Sequence, residues 1–197
     1  LAGQVAAESQ SHIGMARRLA TSHEARSRRR ETLLAALAIN GVSSAVNTAE
    51  RWLDIAKKDA EALTTERDLA ERTAALRTMG LQPGDAIPNN MKSDLKALEE
   101  AQKRRATRSL RDGIDRILVD LLSLYRDVLT IQIDARTPLI NAELIGQISE
   151  AAQVTTPAQT IEKLEAIAQA RLRIDRNVRD LMVLESLGVS LRIKRAS

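Results

Sequence analysis

Between Gly41 and Gly80 the chain contains neither glycine nor proline, and a run of that length without a breaker folds into little other than helix. The run predicts one helix from Ser43 to Met79. Its inward seam is read as Ala49, Leu53, Ala56, Ala60, Leu63, Ala70 and Ala74, stepping by fours and threes with an interruption at Arg67. Small seam residues allow helices to approach closely but bury little area each. The stretch from Gly80 to Asn90, with two prolines and two glycines, reads as a loop. A second long helix follows from about Met91 to Asp134, and Leu110, Ile114, Ile117, Leu121, Leu124, Val128 and Ile131 mark its apolar face. The simplest arrangement is a long antiparallel helical hairpin with its base in a globular body and its tip, residues 65–105, projecting into solvent. A dimeric coiled-coil seam is the alternative.

The remaining punctuation divides the chain into shorter helices. Residues 1–20 read as two short ones broken near Ser11–Gly14. Thr21 and Glu24 have capping-box spacing and open a helix that ends near Asn40-Gly41. Asn141 is placed to cap a helix that presents Ile140, Leu144, Ile145 and Ile148 on one face. Thr156, Pro157 and Gln159 form a capping box with proline in the first turn, and that helix runs to about Arg176. A last one, from Val178, turns Leu181, Leu184 and Leu191 inward. No stretch carries a strand signal, so the expected fold class is all-α, a helical bundle with the long hairpin attached.

Composition narrows the function classes. Of 197 residues, 44% are hydrophobic and 28% charged, which excludes a disordered or membrane-embedded chain. No uncharged apolar run approaches the ~20 residues needed to span a bilayer, so the expected compartment is the cytoplasm, with no membrane partner. The start at Leu1, already in helix-like sequence, suggests a piece of a longer protein. With no cysteine there are no disulfides, thiolate metal sites or cysteine nucleophiles. The two histidines, His12 and His23, form no Glu-x-x-His or His-x-x-x-His pair, and no phosphate-binding glycine loop occurs. Carboxylates sit within helical reach of arginine or lysine, as in Glu66/Arg67 and Asp175/Arg176, and read as surface ion pairs. Neither a catalytic role nor a cofactor is expected. Arg26, Arg28, Arg29 and Arg30, with Lys103, Arg104, Arg105 and Arg108, form a candidate basic patch for phosphates. Trp52 and Tyr125 are the only aromatics, read as packing residues, so stacking platforms for single strands are missing.

The order of several segments nevertheless resembles a known family. Gln10–Ala20 (Gln-Ser-His-Ile-Gly-Met-Ala-Arg-Arg-Leu-Ala) is similar to the end of the lid domain in clamp-loader ATPase-like proteins, where a G-S-x-x-x-A-L type turn leads into a helix. Leu118–Leu129, Thr137–Leu144 and Ala170–Val178 resemble collar-domain segments of the same family. In sequence they look like the C-terminal half of the delta prime subunits of bacterial DNA polymerase III, over residues 1–40 and 110–192. The resemblance implies a non-catalytic subunit in DNA replication. Its collar would join a pentameric ring with delta and the ATP-hydrolysing tau/gamma subunits, and the complex would load the sliding clamp on primed DNA. It further implies a degenerate ATP-sensing position at Gly14, where active relatives carry an arginine.

On this resemblance residues 1–40 are the lid end with its connecting helix, and 41–197 a collar-like domain. The family pattern does not account for the outer hairpin, about 50–110. Leu139, Asn141, Arg171, Arg176 and Asn177 are candidate residues for subunit or inter-helix junctions. The alternative function is a free-standing helical scaffold or a nucleic-acid-binding coiled-coil protein.

Overall fold

The computed structural model of the protein describes residues 20–82 and 85–193. Among them it contains six α-helices, two short 3-10 turns and no strand, so the chain is all-α. The helices are α1 (His23–Leu37), α2 (Val42–Thr78), α3 (Lys92–Gln132), α4 (Ile145–Val154), α5 (Pro157–Asp175) and α6 (Asp180–Leu191). The expected helices at 1–20, and Gly14 with them, lie outside the described residues, apart from a short helical end at 20–21.

Local chemistry sets the helix ends. α1 is capped by Ser22 and not by the Thr21/Glu24 pair expected from spacing. Ser22 is the residue with extended backbone, and its hydroxyl accepts from the Ala25 amide at 3.1 Å. Glu24 pairs one turn on with Arg28 instead, at 2.6 Å. Gly41 does not end α1, which closes at Ala38; its carbonyl accepts from the Ala45 amide and so begins α2. Ser44 completes that start by accepting from the Gly41 amide at 3.0 Å. The Thr156/Gln159 capping box with Pro157 opens α5 as its spacing predicts.

The three longest helices stop in the same way. Gly80, Asp134 and Asn177 adopt φ of 74°, 52° and 60° just beyond α2, α3 and α5. The amide of each and the amide that follows it fold back onto the last turn, the second as Leu81 to Leu76 (2.9 Å), Ala135 to Thr130 (3.0 Å) and Val178 to Arg173 (3.1 Å). This is the Schellman arrangement, in which a left-handed residue lets the chain satisfy carbonyls that the helix leaves open.

The chain divides into two compact units. One comprises residues up to 53 and from 115 onward, and the other residues 54–114. In the first, Leu33, Trp52, Leu121, Leu124, Ile167 and Leu184 are fully buried side chains of the core. Each contributes roughly 1.5–3 kcal/mol relative to exposure. The Trp52 indole donates to the Thr32 carbonyl at 3.3 Å, and Tyr125 is buried, so both aromatics pack as expected. Ile145 departs from its expected face and is exposed, because the 3-10 turn Ala142–Leu144 winds three residues per turn and rotates it away from Leu144 and Ile148. At Gly188 of α6 an added Cβ would lie 2.8 Å from the Ala45 carbonyl oxygen of α2, so the two backbones touch there.

In unit 54–114 the halves of α2 and α3 run antiparallel. Ala56 lies against Gly113, Asp68 accepts from Gln102 (2.9 Å), and Arg72 pairs with Glu99 (2.7 Å). The hairpin itself is therefore as the periodicity predicts. The seam differs in its outer part. Ala56, Ala60 and Thr64 are buried, but Leu63 is 54% exposed and Ala70 and Ala74 also face outward. The seam advances by four from Ala60 to Thr64 and Asp68, then by three to Glu71. It stays on one straight stripe and accepts polar residues where the partner helix brings Gln102 and Arg105.

Candidate functional site

The densest polar structure is a buried junction in the unit that holds both termini. Polar residues Asp120, Ser123 and Asp127 recur at helical spacing beside the apolar face of α3, which puts them on one stripe. Arg29 enters from α1, and Asn141 from the segment that follows α3. The Arg29 guanidinium donates to Asp120 Oδ1 (2.8 Å), to Asn141 Oδ1 (2.6 Å) and to Ser123 Oγ (3.4 Å). Asn141 Nδ2 donates to Asp127 Oδ2 (2.9 Å) and Ser123 Oγ (3.2 Å). The Asp127 carboxylate also accepts the Asn141 amide (2.7 Å), the Ile140 amide (3.1 Å) and the Arg126 guanidinium (2.8 Å). Asn141 and Asp127 are 0% exposed and Arg29 is 6%. Such a network is tolerable inside a protein only when its donors and acceptors are matched, and here they are.

This corrects two expectations. Asn141 occupies the cap position of the short turn before α4, yet its side chain makes no capping bond; it points inward, into a junction between α1 and α3. Arg29 drops out of the basic patch, because its guanidinium is enclosed by Asp120, Ser123 and Asn141.

Other candidate residues take varied places. Leu139 is half-buried. Arg171 forms a two-pronged pair with Asp115, at 2.7 and 3.1 Å, which holds its guanidinium pKa above the ordinary arginine value. Both side chains remain partly exposed. Arg176 and Asn177 are exposed at the end of α5, where Asn177 supplies the left-handed residue of the helix stop. Of the remaining basic residues, Arg30, Lys103, Arg104 and Arg108 are exposed, Arg26 is half-buried, and Arg28 is half-buried against Glu24. Arg105 turns into the hairpin seam and contacts Asp68 and both oxygens of Glu71 (3.0 Å each). Hydrogen bonds from Arg105, then Arg67, hold the Glu71 carboxyl down to about 2. Arg67 pairs with Glu71 and not with adjacent Glu66, since neighbouring helix residues point apart while residues four apart meet.

Lys163 was not singled out by sequence. Its buried ammonium donates to the Leu191 (2.6 Å) and Arg192 (3.2 Å) carbonyls, closing the C-terminal end of α6, and lies 5.5 Å from the Tyr125 ring centroid. A lone lysine on an amphipathic helix gives no sign that it faces inward. Burial drives the Tyr125 hydroxyl pKa up.

Around α1 and α4 lies an open groove of about 800 Å³, lined by Leu34, Leu37, Ile39, Ala151, Val154 and Ile193 among others. Among the described residues no group of three or more His, Asp or Glu is placed to hold a metal, and no helix is long and apolar enough to cross a membrane. Comparison with known proteins gives no matching family model, no matching curated protein and no matching solved structure.

Proposed function

We propose that this chain is the lid end and collar region of a delta prime-type clamp-loader subunit, a non-catalytic component of bacterial DNA replication. It acts by docking to delta and the tau/gamma subunits in the ring that places the sliding clamp on primed DNA. One observation carries the reading. Segments resembling the family lie far apart in sequence, yet Arg29, the 118–129 stretch of α3 and the 137–144 segment meet in one buried hydrogen-bond network. The part that the family pattern does not cover, about 50–110, corresponds to the separate compact unit 54–114. An insertion in an otherwise continuous domain has that organisation.

Docking needs surface that the chain does not cover itself. Ile145, Leu172, Val178 and Met182 are large apolar side chains left exposed, and the groove beside α1 and α4 adds to them. The test is reconstitution with purified delta and tau/gamma subunits followed by size-exclusion chromatography. A stoichiometric complex is expected, weakened by Leu172→Glu with Met182→Glu while the circular dichroism spectrum stays helical. Failure of the unsubstituted chain to join either subunit overturns the reading.

A further inference from the structure

We infer that the outer face of α3 between Lys103 and Arg108 binds the phosphate backbone of duplex nucleic acid, without reading its sequence. This inference stands on the hairpin unit alone and is separate from the subunit reading. Residues 103–111 include five basic side chains and no acidic one. The fold then sorts them. Arg105 is drawn into the seam by Asp68 and Glu71. Lys103, Arg104 and Arg108 remain exposed and border a shallow groove of about 440 Å³ with Thr107 and Glu100.

The acids near this face neutralise it only in part. Glu99 stands one turn before Lys103, the position from which a carboxylate best supports a lysine, but it is held by Arg72 of α2 at 2.7 Å. Glu100 approaches Arg104 only to 3.9 Å, with both side chains mostly exposed. Among the described residues neither Lys103 nor Arg108 makes an ion pair. An ordinary solvated helix face interleaves its charges, whereas here Glu99 is turned toward the other helix and leaves Lys103 without its nearest carboxylate.

The geometry favours a duplex backbone. Lys103 to Arg108 covers ~7.5 Å of helix axis. Double-stranded DNA presents about four charges over that length. Residues 54–114 contain no aromatic side chain, so the stacking that binds single strands is missing. Arginine and lysine without base-reading partners give positioning and not sequence choice.

Fluorescence anisotropy of the full 197-residue chain with a labelled 20-base-pair DNA duplex tests this. Three phosphate contacts predict a log K against log[salt] slope near −2.7, or about 40-fold weaker binding at 200 mM than at 50 mM salt from this face alone. The Lys103→Ala, Arg104→Ala, Arg108→Ala triple variant should flatten the slope by about 2.7, with its helical circular dichroism intact. Lys57→Ala with Lys58→Ala, exposed on α2 of the same unit, should leave the slope unchanged, as should scrambling the duplex sequence. A triple variant with the parental slope overturns the inference. So does an acidic peptide of equal charge that binds more tightly than the duplex and is lost in the same variant, which would assign the face to a protein partner.

Discussion

The two compact units hold their charged groups in opposite ways. In the unit containing both termini, Asp127 and Asn141 are wholly enclosed, and the hydrogen bonds around them join three separate stretches of chain. In the hairpin unit, Arg105, Asp68 and Glu71 keep 24%, 23% and 29% of their side-chain surface in water and join only the two helices that already run side by side. Burial makes the first arrangement specific: a misplaced segment would leave charges desolvated and unmatched. Exposure makes the second forgiving, since water replaces any bond that is lost. The difference suggests that a fixed geometry matters in the first unit and an available surface in the second.

The sharpest way to break this contrast is Asp127→Ala. The substitution removes the acceptor for two backbone amides, Asn141 Nδ2 and Arg126, and leaves the enclosed Asn141 without its anchor. Losing one partner of a buried charged network costs about 3–5 kcal/mol. Urea unfolding should show that loss. Hydrogen exchange should show amides 140 and 141 opening first. A change below ~1 kcal/mol would mean that the junction is not what positions the 137–144 segment.

A second comparison uses one substitution in both units. At Gly188 a new methyl group meets the Ala45 carbonyl oxygen at 2.8 Å, and backbone must move. Gly188→Ala should therefore destabilise by about 1–3 kcal/mol. At Gly113 the nearest atom is the Ala56 carbonyl oxygen at 3.2 Å, a gap closed by a few tenths of an ångström. There the gain of ~1 kcal/mol in helix propensity offsets the crowding, and Gly113→Ala should change stability by less than about 1 kcal/mol. Thermal unfolding of both variants orders them. Equal losses would show that the hairpin backbones are as rigidly seated as α6 on α2.

These effects indicate where sequence reasoning succeeds. Helix existence among the described residues, the hairpin and the Thr156 cap are legible because breakers and periodicity act locally. The face of α3 from Ile114 to Val128 was legible for the same reason, being strongly apolar. The junction was hidden, since Arg29 looks like one more member of a basic run and Asn141 like a cap. Only tertiary packing shows that they meet 112 positions apart. The one available sign was Asp120, Ser123 and Asp127 at helical spacing beside that face, too polar for a core and too regular for chance. The outer seam escapes a reading by apolarity, since Leu63 is more apolar than Thr64 and apolarity does not decide where the partner helix offers Arg105.

The smallest expected effect tests the exposed side of the comparison. Glu71 is held to about 2, below its ordinary 4.5, by Arg105 and then Arg67. A carboxyl with a depressed folded pKa stabilises above its unfolded pKa, and the contribution fades as pH falls from about 4.5 toward 2. Site-resolved NMR titration of the Glu71 carboxyl carbon should show no midpoint in the ordinary range. Arg105→Ala should bring the midpoint back toward it, while unfolding at pH 7 changes little because the pair is open to solvent. High salt should shift the parental midpoint upward in the same direction. If Glu71 instead titrates normally in the parent chain, the ion cluster is not maintained in solution. Arg105 would then rejoin the exposed basic face, and the contrast between the two units would become one between a buried network and no network at all.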